Sequence, residues 1–277
     1  MTDAQHSLLG KETRYDQSYS SEILFPLSRS DNRDLLNLKG ALPFHGEDLW
    51  TCYELSWLDS KGKPNVGIAY FAFPANSPFM IESKSFKLYL NAINHLSFES
   101  VESVEKLLRR DISEAAGMSV SVDIQTVDSD KSAISNDDLP VVCIDHLDIG
   151  QLEYQPNSAL LSVEPGSCEL NEYLCSHLLR SNCPVTGQPD WASVYIHYSG
   201  QRINRESLLR YIISFRQCQD FHENCVERIF TDLIEMCRCD SLSVYARYTR
   251  RGGLDINPYR ATHDLAATAG LFRTARQ

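Results

Sequence analysis

The sequence lacks any long hydrophobic run. Its longest uninterrupted apolar stretch, residues 66–73, has eight residues, whereas a helix that crosses a bilayer needs roughly 20. We therefore expect no transmembrane helix. The first 17 residues are polar and lack the apolar segment of a secretory signal, so we expect a cytoplasmic protein whose thiols are reduced.

The sequence also lacks an excess of positive charge. It has 26 Lys and Arg residues against 37 Asp and Glu residues, a formal net charge of -11. Proteins that follow a nucleic-acid backbone or bind an anionic membrane are usually basic on the binding face, so we expect neither partner. With 277 residues, 43% of them hydrophobic, the chain can bury one large core or two modest ones, and a small-molecule or protein partner fits better.

Sequence signatures of common cofactor and metal sites are absent as well. There is no GxGxxG, P-loop, HExxH or EF-hand motif, which argues against a Rossmann domain. The nine cysteines are odd in number and scattered, unlike a disulfide framework. Two groupings have ligand-like residue types, Cys218 with His222 and Cys225, and Cys237 with Cys239. No paired CxxC motif supports either one, so we expect no metal.

An internal repeat covers much of the chain. Shifting the sequence by 122 residues aligns 85–124 with 207–246 without a gap. Conservative pairs fall where a core-facing helix stripe and a strand face would lie, which favours duplication over chance similarity. The identical pairs are Ser85/Ser207, Tyr89/Tyr211, Val104/Val226, Glu105/Glu227, Ser119/Ser241, Ser121/Ser243 and Val122/Val244.

Each copy shows the pattern of a hairpin, two helices and a strand. In the first copy we predict strands at about 49–58 and 65–75, helices at 85–94 and 101–111, and a closing strand at about 118–127. The second copy has an alternating strand at 191–198 and a helix that Asn204 can N-cap. An amphipathic helix over 226–237 and a half-buried strand over 242–249 follow.

Hairpins with paired helices, and no regular β-α-β alternation, predict an α+β fold with antiparallel sheets and helices on one face. The polar stretch 128–138 is a linker candidate, although a long surface loop is nearly as good an interpretation. We place a boundary near residue 140, which gives an N-terminal domain over 1–140 and a C-terminal domain over 141–277.

One loop, SNCPVTGQPDW at 181–191, combines a thiol and a carboxylate on a stiff backbone. Pro184, Gly187 and Pro189 restrict the chain between Cys183 and Asp190. A soft thiolate can attack an electrophilic carbon while a nearby acid protonates the heteroatom that gains charge. A buried cysteine in a turn with a surface aspartate explains the same residues about as well.

Three weaker concentrations of polar residues stand elsewhere. In ESKSFK at 82–87, Lys84 and Lys87 would share one helical face and could hold phosphate, although two lysines are usually a solvated face. The basic run 247–253 together with Arg260 could bind an anionic ligand. The pair at 222–223, His and Glu, could read a purine-like N–H edge and relay a proton, but a helix-start glutamate beside a surface histidine is the commoner case.

The residues converge on a known family. ESKSFKLY at 82–89, the 181–191 loop, FHENCVERIF at 221–230 and SVYARYTRRGGLDINPYR at 243–260 closely resemble the NADPH-dependent 7-cyano-7-deazaguanine reductases. These are the nitrile reductases of queuosine biosynthesis, a tRNA modification, and the match is to their longer, bimodular type. The resemblance covers nearly the whole chain.

The resemblance implies tandem tunnelling-fold (T-fold) units, one per half of the chain, in agreement with the repeat. It implies a four-electron reduction of 7-cyano-7-deazaguanine (preQ0) to 7-aminomethyl-7-deazaguanine (preQ1) with NADPH as cofactor. Cys183 matches the nucleophile that forms a covalent thioimide, and Asp190 matches the proton donor. His222 is the third candidate catalytic residue, as a proton relay.

The resemblance also assigns binding residues by position. Substrate contacts are implied at Ile81, Glu82, Ser83, His222 and Glu223, and cofactor contacts at Ser83, Lys84, Arg251 and Gly252. Because the nucleophile lies in the second half and the cofactor box in the first, a site needs both halves, from one chain or from two. We therefore expect a homodimer.

Two other function classes stay open at this point. A T-fold relative that acts on pterins or purines, such as a cyclohydrolase, would share the fold and the glutamate anchor, but it would typically need metal ligands that this sequence does not assemble. A purine-binding protein without activity is the second class. It would have no need for Cys183 paired with Asp190.

Overall fold

The computed structural model describes residues 18–127, 141–263 and 274–277. The strands are β1 (Pro26–Ser28), β2 (His45–Leu58), β3 (Pro64–Pro74), β4 (Phe79–Ile81), β5 (Ser121–Gln125), β6 (Val142–Cys143), β7 (Glu169–Asn182), β8 (Pro189–Gln201), β9 (Ser241–Tyr248) and β10 (Leu254–Ala261). The helices are α1 (Ser30–Leu35), α2 (Ser83–Ile93), α3 (Val101–Ala116), α4 (Arg205–Ser214) and α5 (His222–Cys237). Short 3-10 turns occur at Ser21–Ile23, Ser158–Leu160 and Phe215–Gln217.

The chain forms two compact units, and each is discontinuous in sequence. The first takes the described residues of Met1–Asn37, Glu47–Ala133 and Arg250–Ile256. The second takes those of Leu38–Gly46, Ile134–Thr249 and Asn257–Gln277. The linker candidate at 128–138 and the boundary near residue 140 lie outside the described residues.

The first unit packs two helices against an antiparallel sheet. Its strands run in the order β5-β3-β2, and Trp50 of β2 stands opposite Phe71 of β3. Phe86 of α2 is fully buried, and its ring lies 4.9 Å from Trp50 and 5.1 Å from Phe71, both edge to face. Aromatic contacts of this kind add to the apolar area that the helix buries. The apolar face of α2 therefore holds the helix on this side of the sheet.

The second unit repeats this layering with a larger sheet, in the order β10-β9-β8-β7-β6. The neighbouring pairs from β10 to β7 are antiparallel, while the short β6 lies parallel to β7. Buried apolar residues at the spacing predicted for α5 include Val226, Ile229, Phe230 and Leu233. The prediction of an α+β fold with antiparallel sheets is confirmed.

The strand β9 differs from the half-buried strand that alternation predicts. Both faces are covered, because Tyr245 and Arg247 are buried as well as Val244 and Ala246. The buried guanidinium of Arg247 has hydrogen-bond partners. It donates to the Tyr245 hydroxyl at 2.7 Å and to the side chain of Gln277 at 2.8 Å. A polar residue can occupy a buried strand face when its donors find such partners.

The internal repeat is visible in the order of elements. Two long strands, two helices and a strand occur first as β2-β3-α2-α3-β5 and then as β7-β8-α4-α5-β9. In the first unit the Tyr89 hydroxyl donates to Asp111 at 2.8 Å, and in the second the Tyr211 hydroxyl donates to Asp232 at 2.6 Å. The same tyrosine thus ties the first helix of each pair to the second.

The helix starts match as well. Glu82 N-caps α2 and Asn204 N-caps α4, as predicted for Asn204, whose side chain accepts from Ser207 N at 2.9 Å. Ser85 and Ser207 each donate to the backbone carbonyl of their cap residue at 2.7 Å. Conserved capping geometry in both copies supports duplication of one ancestral unit.

No helix among the described residues is long and apolar enough to cross a membrane.

Candidate active site

A closed hairpin loop holds Cys183. The loop lies between β7 and β8, whose last pair is Asn182 with Pro189. The Cys183 N–H donates to the carbonyl of Gln188 at 2.8 Å, and the Gly187 N–H donates back to the Cys183 carbonyl at 2.9 Å. Gly187 has a φ of 67°, a left-handed conformation that glycine adopts without strain. Both backbone groups of Cys183 are therefore fixed, and its side chain is buried.

Asp190 and His222 meet beside this hairpin. Asp190 is the second residue of β8, opposite Ser181 of β7, and only 8% of it is exposed. Its Oδ2 lies 3.4 Å from Nε2 of His222, the first residue of α5. This distance allows charge attraction, and a small shift would bring the pair to hydrogen-bond length.

Tyr248 stacks against the His222 ring. The rings of His222 and Tyr248 are stacked, with centroids 3.8 Å apart and planes within 7°. Tyr248 lies on β9 opposite Ala192 of β8, and burial raises its pKa well above the usual range, so that it stays neutral. The stack fixes the plane of the imidazole while leaving its Nε2 directed to Asp190.

Backbone hydrogen bonds attach the start of α5 to the hairpin. The Asn182 N–H donates to the carbonyl of Cys218 at 2.8 Å, and the Asp220 N–H donates to the carbonyl of Asn182 at 3.1 Å. The Asp220 carboxylate in turn accepts from Phe221 N at 2.8 Å and from the Asn224 amide at 2.7 Å. Burial raises the pKa of Asp220, although these two bonds act in the opposite direction.

Glu223 follows His222 in the first turn of α5 and is 4% exposed. A carboxylate in the first turn of a helix is favoured by the helix dipole. Its position one residue from His222 puts an acceptor on the same helix start as the imidazole. Cys183, Asp190, His222 and Glu223 are therefore all carried by one hairpin and one helix end of the second unit.

The cysteines near this helix do not form the ligand grouping that the sequence analysis considers and leaves unsupported. Among the described residues, the ligand atoms of Cys218, His222 and Cys225 do not come together within 4.8 Å. The two thiols instead share a hydrogen bond, which together with burial raises the pKa of Cys225 well above its usual range. The same hydrogen bond lowers the pKa of Cys218.

The ESKSFK segment forms the start of α2 in the first unit. Ile81 ends β4 and is buried, and Glu82 is completely buried as the N-cap. One carboxylate oxygen of Glu82 accepts from Lys84 N at 2.7 Å and the other from Ser85 N at 2.8 Å. Burial raises the pKa of Glu82, and these bonds and the two nearby lysines oppose that rise. Glu82 is thus first of all a helix cap.

A tight turn carries Arg251 and Gly252 in the same unit. The Arg251 N–H donates to the carbonyl of Leu254 at 2.9 Å, and Gly252 and Gly253 both have positive φ, 60° and 69°. A Cβ on Gly253 would lie 2.2 Å from Cδ of the exposed Glu54 side chain, which would have to move, and the positive φ of Gly253 favours glycine there. A Cβ on Gly252 would lie 3.5 Å from Nζ of Lys87. The turn therefore lies beside the second lysine of the segment.

The basic run 247–253 with Arg260 is not one surface cluster. Arg260 is fully buried in the second unit, where its guanidinium donates to Glu227 at 2.9 Å. Arg247 is also buried there. The interpretation of these two arginines as part of an anion site is wrong, because each is taken up by partners within its own unit. Arg250, in the first unit, lies over the Tyr53 ring at 4.8 Å.

Comparisons with known proteins show the family of the chain. Two protein-family models match, one described as "Nitrile reductase, 7-cyano-7-deazaguanine-reductase N-term" over residues 15–124 and one as "QueF-like protein" over residues 189–267. Proteins named NADPH-dependent 7-cyano-7-deazaguanine reductase are 51% identical in Burkholderia orbicola (strain MC0-3), over 275 residues, and 50% identical in Chromobacterium violaceum, over 277 residues. These alignments cover 99% of this chain and 99% and 97% of the two relatives.

This chain belongs to the NADPH-dependent 7-cyano-7-deazaguanine reductase family.

A solved structure, the apo form of the archaeosine synthase QueF-Like, matches 35% of this chain and 94% of its own, with 16% identity and a TM-score of 0.29. A similarity of that size carries no argument about the fold. Membership of the reductase family rests on sequence similarity to relatives that span the full length of the chain.

Sequence reasoning missed two residues of the candidate site, Tyr248 and Asp220. Tyr248 was seen only as a strand residue, because no local pattern indicates that it stacks on His222. Asp220 precedes α5, and aspartate just before an amphipathic helix is a common sign of a helix start. The role of Asp220 could therefore have been predicted from the sequence. The three-residue spacing of Lys84 and Lys87 already predicts that the two lysines share a helical face. Only the fold shows that Lys87 lies beside Gly252.

Asp220→Ala should destabilise the helix start that carries His222 and Glu223. The change leaves the Phe221 N–H and the Asn224 amide without this acceptor, which should lower the free energy of unfolding by about 1–2 kcal/mol. Urea unfolding of the two proteins measures the difference. Asp240→Ala is the matched control, since Asp240 is exposed and should change stability by less than about 0.5 kcal/mol. Equal effects of the two substitutions would contradict the assignment.

Proposed function

We propose that this chain reduces the nitrile of 7-cyano-7-deazaguanine (preQ0) to the primary amine of 7-aminomethyl-7-deazaguanine (preQ1), at the expense of two NADPH. Membership of the family makes it an NADPH-dependent nitrile reductase of the queuosine pathway. The observation that carries the mechanism is the hairpin that holds the Cys183 thiol next to a strand start where Asp190 faces His222. A passive binding protein has no use for that combination.

Cys183 is the proposed nucleophile. Its sulfur adds to the nitrile carbon, the thiol proton passes to the nitrile nitrogen, and a covalent thioimide forms. A nitrile is a poor hydride acceptor, whereas the resulting C=N group becomes electrophilic once it is protonated. Sulfur suits this role because it both attacks and departs readily. The fixed backbone on both sides of Cys183 keeps the sulfur in place through addition and departure.

Asp190 is the proposed proton donor, with His222 as the group that resupplies it. The nitrile C≡N bond becomes first a double and then a single bond, and the nitrogen gains electrons at each step. An acid within reach of that nitrogen can protonate it each time. Because Nε2 of His222 lies 3.4 Å from the Asp190 carboxylate, the imidazole can return a proton to it between steps. The stack on Tyr248 holds the ring in that orientation.

The proposed substrate contacts are those that the family resemblance assigns. Glu223 and His222 would bind the guanine-like N–H edge of preQ0, a task for which a buried carboxylate with two acceptor oxygens is suited. Ile81, Glu82 and Ser83 are the further contacts. Glu82 already accepts two backbone N–H groups as the cap of α2, so only its remaining lone pairs are available for a ligand.

The residues of the first unit fit a phosphate-bearing cofactor. Lys84 and Arg251 supply positive charge, Ser83 supplies a hydroxyl, and Gly252 leaves the turn without a side chain. Lys87 belongs to this set, because it lies beside Gly252. The backbone N–H groups of Lys84 and Ser85 already donate to Glu82. The side chains of Ser83, Lys84, Lys87 and Arg251 would therefore hold the phosphates. When bound, NADPH supplies hydride.

We also propose that each half of the chain is a T-fold unit, with the cofactor box in the N-terminal half and the Cys/Asp pair in the C-terminal half. The repeated order of strands and helices supports this. The family resemblance further supports a homodimer that works in the cytoplasm without direct contact to nucleic acid. The mass of the native protein in solution tests the dimer.

The stoichiometry of the reaction tests the function. With preQ0 present, the protein should oxidise two NADPH for each amine formed, because a nitrile needs four electrons to become an amine. Absorbance of NADPH and chromatography of the product measure the ratio. Cys183→Ala should lose turnover by roughly 10³-fold or more, whereas Cys168→Ala, a control at an exposed thiol, should keep it. A ratio of one, or full activity without Cys183, would overturn the proposal.

Asp190→Asn separates catalysis from binding. The amide keeps the size of the side chain but cannot donate an acidic proton, so kcat should fall by about 10²–10⁴-fold while the Kd for preQ0 changes little. Steady-state kinetics measures kcat, and equilibrium titration with Cys183 also replaced by Ala, so that no thioimide forms, measures the Kd. Asp240→Asn, at an exposed position, controls for the change of charge. Weak binding with normal turnover would rule out Asp190 as the acid.

A further inference from the structure

Three ligand-type side chains outside the proposed active site converge at one edge of the second unit. The sulfur atoms of Cys143 and Cys175 and a ring nitrogen of His177 all lie within 4.8 Å of one another. Cys143 belongs to β6 and stands opposite Cys175 in the parallel pairing of β6 with β7. The two cysteines are 32 positions apart in the sequence, which is why no motif indicates them.

Strand alternation accounts for the position of His177. Residues two apart on a strand point to the same face of a sheet, so His177 and Cys175 of β7 share one face. The register of β7 against β8 shifts only from Ser176 to Leu179, where a β-bulge begins. The imidazole therefore lies on the same side of the strand as the Cys175 thiol.

The imidazole is held as metal-binding histidines usually are. Its Nδ1 lies 2.8 Å from the Ser193 hydroxyl, which leaves Nε2 for a ligand. The His177 backbone N–H donates to Asp145 at 2.8 Å, and the Ser176 hydroxyl donates to the same carboxylate at 2.6 Å. Ligating histidines typically engage their other ring nitrogen in such a bond, which fixes the ring and the tautomer.

The spacing and the donor types suit a borderline-soft divalent cation. In a tetrahedral zinc site with Zn–S of about 2.3 Å and Zn–N of about 2.0 Å, neighbouring ligand atoms lie roughly 3.5–4 Å apart. The three atoms here need only a small contraction to reach that geometry. Two thiolates and a neutral imidazole also balance the charge of the cation.

We propose that Cys143, Cys175 and His177 form a zinc-class metal site that ties β6 to β7, with water as the fourth ligand. Binding of one divalent cation releases the two thiol protons to solvent, and no oxidant or reductant takes part. None of the residues proposed for nitrile reduction contributes to the site, whose proposed role is to join the two strands. The proposal is therefore independent of the proposed function.

Cobalt(II) is the probe for this site, because thiolate ligation gives it intense charge-transfer absorption and tetrahedral ligation gives it strong visible bands. The full-length protein, reduced and stripped with a chelator, should show both bands on titration with one equivalent of Co²⁺. Zn²⁺ should then remove the bands by displacement. Zinc should also raise the thermal midpoint of unfolding.

Cys143→Ser, Cys175→Ser and His177→Asn should each weaken Co²⁺ binding by at least about 10-fold, and both cysteine variants should lose charge-transfer intensity. Cys168→Ser is the matched control, because Cys168 is an exposed thiol of the same unit, and it should leave the bands unchanged. Circular dichroism verifies that each variant is folded. If Cys175→Ser does not fold, Cys143→Ser decides, since Cys143 is only partly buried.

Three results would overturn the metal site. The first is the absence of charge-transfer absorption in the reduced wild-type protein. The second is absorption that survives both cysteine substitutions. The third is a Cys143–Cys175 disulfide, found by peptide mapping of protein purified without reductant, together with no uptake of metal after reduction.

Discussion

Two backbone hydrogen bonds at Asn182 organise the candidate active site. They join the last residue of β7 to the segment that leads into α5, at the carbonyl of Cys218 and the N–H of Asp220. Because backbone groups buried without partners are costly, this bridge gives the loop a definite place against the hairpin. The 3.4 Å approach of Asp190 to His222 follows from it. The bridge adds to the burial of the apolar face of α5 and to the stack of His222 on Tyr248 in fixing the hairpin relative to the helix.

The duplicated frame places different residues at the start of the second helix in each copy. Shifting by 122 residues places Ser100 of the first copy on His222 of the second. Ser100 N-caps α3, with its hydroxyl accepting from Ser103 N, whereas α5 has no such side-chain cap and depends on Asp220 for contacts at its start. The position that caps a helix as Ser100 in the first copy therefore faces Asp190 as His222 in the second.

Much of this could be predicted from sequence where the determinant is local. The apolar spacing of α5, the capping of α4 by Asn204 and the stiff loop around Cys183 all depend on residues a few positions apart. Contacts between distant segments could not be predicted. Arg260 reads as a surface cation until Glu227 is found 2.9 Å away in the interior, and Tyr248 reads as an ordinary strand residue until the start of α5 brings His222 over its ring.

Covalent capture of the substrate tests the central claim most directly. The intact mass of the purified, reduced protein is measured after incubation with 7-cyano-7-deazaguanine in the absence of NADPH, beside Cys183→Ala. We expect the wild-type protein alone to gain the mass of one nitrile molecule, since addition of a thiol to a nitrile loses no atoms. A folded wild-type protein with a reduced Cys183 and no adduct would contradict the proposed thioimide mechanism.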